Sequence, residues 1–207
     1  MCMTDEKLVD AYGKGDLRER FMLIYRNYEV FPQLIDCYEL GLFNRILYEK
    51  EYNRRKKNGD DLGVRIQTSK KSDPTAKIAV EHVMIRDAIK ECNFSGELLK
   101  DTDNSEKHRR DILTIHMMRR EYEVFDNCLK TLPGREYRIT YHYIIHEDLD
   151  TAQLAEQEHK ADQTIRNMLA KTRRVALSIY LVAVLENRRL PVAIGNTYRI
   201  IVREVKR

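Results

Sequence analysis

Residues 105–132 read SEKHRRDILTIHMMRREYEVFDNCLKTL, and within them Ile112, Ile115, Met118, Tyr122, Phe125, Leu129 and Leu132 follow one another at steps of 3, 3, 4, 3, 4 and 3 residues. Such steps keep one apolar stripe on one side of an α-helix, close to a heptad seam. Pro133-Gly134 terminates it, because proline cannot continue a helix and glycine tolerates the left-handed exit. A stripe this long has to be covered, either by a second helix of the same chain as an antiparallel hairpin or by a second copy in a coiled coil. A hairpin partner lies upstream. In Ser72-Asp73-Pro74 the aspartate can cap free N–H groups while Pro74 takes the first helical position, where its missing N–H costs nothing. Ala76, Ala79, Val80, Val83, Ala88 and Ile89 then carry an apolar helix to about Cys92, and Phe94-Ser95-Gly96 ends it.

The same periodicity extends toward the N-terminus. Leu34, Ile35, Tyr38, Leu42 and Ile46 predict an amphipathic helix from Leu34 to about Lys57, stopped by Asn58-Gly59. Its last turn, Arg54-Arg55-Lys56-Lys57, suits the negative end of the helix dipole. Residues 1–33, with Gly13, Gly15 and Pro32, predict one or two short helices. Gly59 to Lys71 and Asp101 to Ser105 read as polar breaks. Only 8 Gly and 4 Pro punctuate 207 residues, a composition of long helices with few turns. The fold class expected is therefore all-α. It comprises a helical hairpin body over residues 1–133, for oligomerisation or partner binding, and a second domain over residues 134–207.

Charge separates these two parts. Residues 160–207 hold eleven Lys or Arg against Asp162, Glu186 and Glu204, a balance of +8 within a total of +4, which leaves −4 for residues 1–159. A basic terminal quarter fits a segment that meets phosphates, or a solvated tail. Cys2, Cys37, Cys92 and Cys128 are too far apart for a metal knuckle and accompany no secretory signal, so they are expected to be buried, reduced thiols of a cytoplasmic protein. The longest apolar run, Val175 to Leu185, has eleven residues, about half of the ~20 a membrane span needs.

The basic quarter contains the pattern of most interest. After a helix-prone stretch from Arg135 to Ile145, Asp150 or Thr151 can cap a short helix containing Leu154 and Ala155. A turn falls near Gln157 to Lys160, and a second helix starts at about Asp162. Leu154, Ile165 and Met168 stand at the spacings that join the two helices of a helix-turn-helix, and Ala155 is small where they approach. Gln163, Thr164, Arg166 and Asn167 lie near the start of the second helix, the part that enters a major groove, and can hydrogen-bond base edges. Lys160, Lys171, Arg173 and Arg174 supply cations for backbone phosphates. The glycine usual in such a turn is replaced by His159, while Glu158 and Lys160 occupy positions that normally help close the core. Val175 to Leu185 extends the second helix into the core. Beyond Pro191, Val192-Ala193-Ile194 and Thr197 to Val202 flank Gly195-Asn196 as two β-prone runs, either a short terminal β-hairpin lying on DNA as a wing or a cover for the core.

Laid out in this way, the chain resembles the RinA and ArpU-like regulators of phages and integrated elements in Gram-positive bacteria. The resemblance spans roughly residues 34–180. It rests on Ser72-Asp73-Pro74-Thr75-Ala76, the apolar helix and second long helix that follow, and a terminal unit similar to sigma-factor region four around Leu149 to Arg174. It implies a sequence-specific transcriptional regulator of phage or mobile-element genes that engages double-stranded DNA and touches RNA polymerase as a sigma-like factor does.

Catalytic chemistry finds little support. His142 and His146 share a helix face at a two-histidine metal spacing, but no third ligand is fixed. No Ser-His-Asp order, P-loop or Rossmann glycine pattern occurs, and Glu147, Asp148 and Asp150 read as turn and cap residues. The expectation is a non-enzymatic DNA-binding regulator, without cofactor or metal, acting as a monomer or homodimer away from membranes. A small terminase-type DNA-recognition subunit and a helical adaptor that binds an acidic protein are the alternatives.

Overall fold

The computed structural model describes residues 5–58, 74–92, 98–146 and 150–185, and among them every regular element is helical. The order is α1 (Asp5–Lys14), α2 (Leu17–Arg26), α3 (Phe31–Asn58), α4 (Pro74–Glu91), α5 (Ser105–Lys130), α6 (Gly134–Ile145), α7 (Thr151–Gln157) and α8 (Asp162–Leu185). The all-α expectation holds. The β-prone runs between Val192 and Val202 lie outside the described residues. No helix among the described residues is long and apolar enough to cross a membrane.

The chain divides into two compact units, and not at residues 133 and 134. One unit joins Met1–Gly13 to Leu34–Met117, and the other joins Lys14–Gln33 to Met118–Arg207. Residues 118–132, assigned from the sequence to the body, thus group with the C-terminal helices. The reason is that the apolar stripe of α5 continues past Met118 into Phe125 and Leu129, which need cover as much as Ile112 and Ile115 do.

In the first unit, Leu8, Tyr12, Ile35, Leu42, Ile46, Ile85, Ile89, Ile112 and Ile115 form the buried core. Gly13 allows α1 close to α5, since a Cβ there would stand 3.0 Å from Thr114 Oγ1. The polar content of this core is what periodicity could not show. Lys50, 7% exposed, donates to the Leu98 carbonyl at 2.6 Å and pairs with Glu81 at 2.9 Å. Burial pushes the Glu81 carboxyl up, yet the hydrogen bonds and charges of Lys50 and Arg54 outweigh it and hold it below its usual range. The Arg54 to Lys57 cluster is likewise engaged: Arg54 with Glu81, Arg55 with Glu51, Lys57 with Asp101. On α4, Ile85, Ala88 and Ile89 are buried, whereas Val80 and Val83 on another face are more than half exposed. Of the cysteines, Cys128 is buried, with its thiol pushed up to about 12 by burial, but Cys37 is exposed and Cys92 half-buried, against the expectation that all are buried.

His108 and Asp111, one helical turn apart on α5, are both buried, and His108 Nε2 lies 2.7 Å from Glu49 Oε2. Burial raises the Asp111 carboxyl above its ordinary value, opposed by a hydrogen bond with Tyr38 and by the charges of Lys107, His108 and Arg45. A raised folded pKa means that the native state holds this proton more tightly than the unfolded chain does. The stabilisation is then full below the unfolded value near 3.8 and is lost as pH climbs through the raised one. Asp111→Asn is expected to raise Tm at pH 7 and to leave it unchanged near pH 3; thermal melts across that range check the sign.

The second unit gathers aromatic side chains. Phe21 on α2 meets Phe125 of α5 at 5.1 Å and Tyr180 of α8 at 5.4 Å, while Tyr122 stacks on Phe31 at 5.8 Å and on Tyr28 at 5.4 Å. Tyr122 is half-buried within an otherwise buried stripe. The Tyr180 hydroxyl donates to Glu121 Oε2 at 2.6 Å, and Arg20 Nε lies 3.1 Å from the same oxygen as an ionic contact rather than an aligned hydrogen bond. In the C-terminal half of α8, Val175, Ala176, Ile179, Tyr180 and Ala183 are buried, as the run Val175 to Leu185 implied, while Leu185 at its end is exposed.

Candidate nucleic-acid interface

Three helices of the second unit, α6, α7 and α8, surround a small core of Ile139, Leu154, Ala155, Ile165 and Leu169, with Tyr143 and Met168 packed against it. Of the apolar positions singled out in the sequence for joining the two terminal helices, Leu154, Ala155 and Ile165 are in this cluster and Met168 packs against it. Short helices need well-made ends, and α7 has one. Asp150 Oδ1 accepts from the Gln153 N–H at 2.7 Å, and the Gln153 side chain accepts from the Asp150 N–H at 3.1 Å, a complete capping box.

The turn explains the missing glycine. His159 adopts φ of +50°, the left-handed conformation that glycine takes most cheaply and that histidine enters more often than bulky residues do. Around it the Lys160 N–H donates to the Ala155 carbonyl at 2.9 Å, and the Glu158 N–H donates to the Leu154 carbonyl at 3.0 Å, so the chain reverses within a few residues. Glu158 closes the same corner from outside. Arg138 of α6 donates to both its oxygens at 2.9 and 3.1 Å, and Arg135 lies 3.5 Å away. A charged pair here does what an apolar contact does in other turns. Relieving the left-handed strain by His159→Gly is expected to stabilise the unit by about 0.5 kcal/mol, the balance of relieved strain against glycine's entropy cost. Urea titration of both forms measures it, and a clear loss of stability would contradict this account of the turn.

On α8 the buried residues Ile165, Leu169, Thr172 and Ala176 follow at steps of 4, 3 and 4, and opposite them Gln163, Asn167 and Arg174 follow at steps of 4 and 7. Thr172 is held inside by Thr140 at 3.0 Å. The outer residues are exposed, and Gln163 Nε2 donates to Asn167 Oδ1 at 3.0 Å, which pre-arranges two amide side chains as a pair. Thr164 is exposed beside them, and Lys160 is exposed in the turn.

The remaining candidates are less free than their sequence positions suggested. Arg166 lies 2.8 Å from Asp162 Oδ2 and donates to Thr151 Oγ1 at 3.1 Å. Hydrogen bonding with Thr151 is the main cause of a lowered Asp162 carboxyl pKa, with Arg166 adding to it against a smaller effect of burial. Lys171 donates to Glu136 of α6 at 3.2 Å. Both therefore act first within the three-helix unit. Arg173 and Arg174 are exposed and form no ion pair among the described residues. The sequence had not pointed to Arg138 or Glu158 as partners; their separation of twenty residues leaves no periodic signal. His142 and His146 stand edge-to-face with ring centroids 4.6 Å apart, and among the described residues no group of three metal-ligating side chains forms.

No protein-family model matches this chain, and no match is found among curated proteins or solved structures.

Proposed function

We propose that this chain is a sequence-specific, DNA-binding transcriptional regulator in which α7, the His159 turn and α8 work as a helix-turn-helix. The observation that carries the reading is the outward stripe of α8. Gln163 and Asn167 are exposed near the start of a helix that follows a left-handed turn, with Arg174 further along the same face. The major groove, about 12 Å wide, admits one α-helix, and paired amides can engage adenine edges while guanidinium groups take phosphates or guanine. The +8 balance of residues 160–207 supplies the sequence-independent attraction that such binding needs.

The resemblance to RinA and ArpU-like regulators extends the proposal to phage or mobile-element promoters, with RNA polymerase as a further partner and no enzymatic step. Within it the first unit serves homodimer formation, a role favoured by Val80 and Val83, two β-branched apolar side chains left exposed on α4. A packaging subunit of small-terminase type would use the same terminal helices in a ring. The test is selection of bound fragments from random and promoter-derived DNA at two salt concentrations, with the mass of the complex measured on the same sample. Salt-resistant enrichment of one motif by a monomer or dimer is expected. Binding without sequence preference, or by a ring-sized oligomer, would count against a regulator.

A further inference from the structure

Beside the outward face of α8, a cavity of about 280 Å³ opens among α2, α6 and α8, lined by Met22, Tyr25, Arg26, Tyr143, Ile144, His146 and Arg173. Its lining is one-sided in charge. Among the described residues, two guanidinium groups and an imidazole face it, and no carboxylate does. Arg26 and Arg173 are both exposed and form no ion pair among the described residues, in a protein where Arg54, Arg55, Arg138 and Arg166 are each matched by an acid. Tyr25 is 7% exposed, and no hydrogen bond engages its hydroxyl among the described residues.

We infer that this cavity binds a phosphate group, with Arg26 and Arg173 as the cationic donors and the Tyr25 hydroxyl as a neutral one. Guanidinium groups offer forked N–H donors matched to tetrahedral oxyanions, and two of them lining one cavity with a hydroxyl present several donors for the several oxygens of one anion. Burial pushes the Tyr25 phenol up to about 12, against the pull of Arg173 and with that of Tyr143, so the hydroxyl remains a proton donor at any physiological pH. Met22, Ile144 and the Tyr143 ring add apolar contact for whatever carries the phosphate. The volume lies near the lower end of small-molecule sites, roughly 300–1,000 Å³, enough for a phosphomonoester with one ring.

Two sources share this chemistry: a small phosphate-bearing ligand free in solution, and a backbone phosphate of DNA lying along α8. The second source rests on the DNA-binding reading; the first does not. The full chain is titrated calorimetrically with phenyl phosphate, with phenol as the uncharged control, and DNA affinity is measured over a salt series, each for wild type and Arg26→Ala. Arg26 is exposed, so its replacement leaves the fold intact, and circular dichroism verifies that. Saturable phenyl phosphate binding, weakened at least tenfold in Arg26→Ala and absent for phenol, establishes a free-ligand site. No phenyl phosphate binding, together with a decrease of about 1 in the slope of log K against log salt in Arg26→Ala, establishes a backbone-phosphate site. If Arg26→Ala changes neither, the proposal is overturned. A Gln163→Ala, Asn167→Ala double variant separates this from the regulator reading: undiminished site preference there defeats the recognition role of α8, while the phenyl phosphate titration still decides the cavity.

Discussion

Glu121→Ala is expected to lower the unfolding free energy by about 3–5 kcal/mol, the range for breaking a buried ion pair by removing one partner. Glu121 is 4% exposed and receives the Tyr180 hydroxyl at 2.6 Å and the Arg20 guanidinium at 3.1 Å, so its loss strips a buried hydroxyl and a mostly buried cation of the same oxygen. Glu121→Gln keeps an acceptor for Tyr180 and removes only the charge, and about half the loss is expected from it. Urea unfolding with an unchanged m-value measures both. A loss under about 1 kcal/mol in the alanine variant would mean that solvent reaches the site and that the aromatic core alone anchors the C-terminal half of α8. Because the outward stripe lies on the same continuous helix, DNA binding by Glu121→Ala should weaken in parallel with its folded fraction and keep its sequence preference.

The second large effect concerns recognition. Gln163→Ala and Asn167→Ala should each reduce preference for the cognate sequence over a scrambled one by about 1–3 kcal/mol, the worth of one good bidentate base contact, which is roughly five- to 150-fold. The two are hydrogen-bonded to each other at 3.0 Å, so the double variant should lose less than the sum. Arg174→Ala should instead weaken binding to every sequence alike and reduce the salt slope by about 1. Arg166→Ala has a mixed expectation, since it also removes a partner of Asp162 at the start of α8 and of Thr151 at the start of α7. Competition binding with cognate and scrambled duplexes distinguishes these patterns. Uniform loss in all four variants would show that α8 meets phosphates only and that base readout lies elsewhere.

Much of the helical layout was readable in residue spacing, because burying an apolar stripe is a local demand with a fixed period. The stripe from Ile112 to Leu132 located α5, Pro74 located the start of α4, and a cap at Asp150 or Thr151 located α7. The turn was harder. His159 lacks the glycine signature, and the neighbouring Glu158 is held by Arg138, twenty residues earlier. Which candidate side chains are available was also hidden: Lys171 and Arg166 carry the same charge in the sequence as Arg174, yet the first two are matched by Glu136 and Asp162.

Sequence alone thus determined the helix order, the polar and apolar faces of α8 and the basic character of the terminal quarter, since each follows from composition or from a 3.6-residue period. Tertiary structure decided how the chain divides into units, which cations are neutralised, the buried Lys50, His108 and Glu121, and the cavity shared by Arg26 and Arg173. Those outcomes depend on pairs far apart along the chain, and hydrogen bonds and ion pairs act over a few ångströms of space whatever the number of residues between their ends.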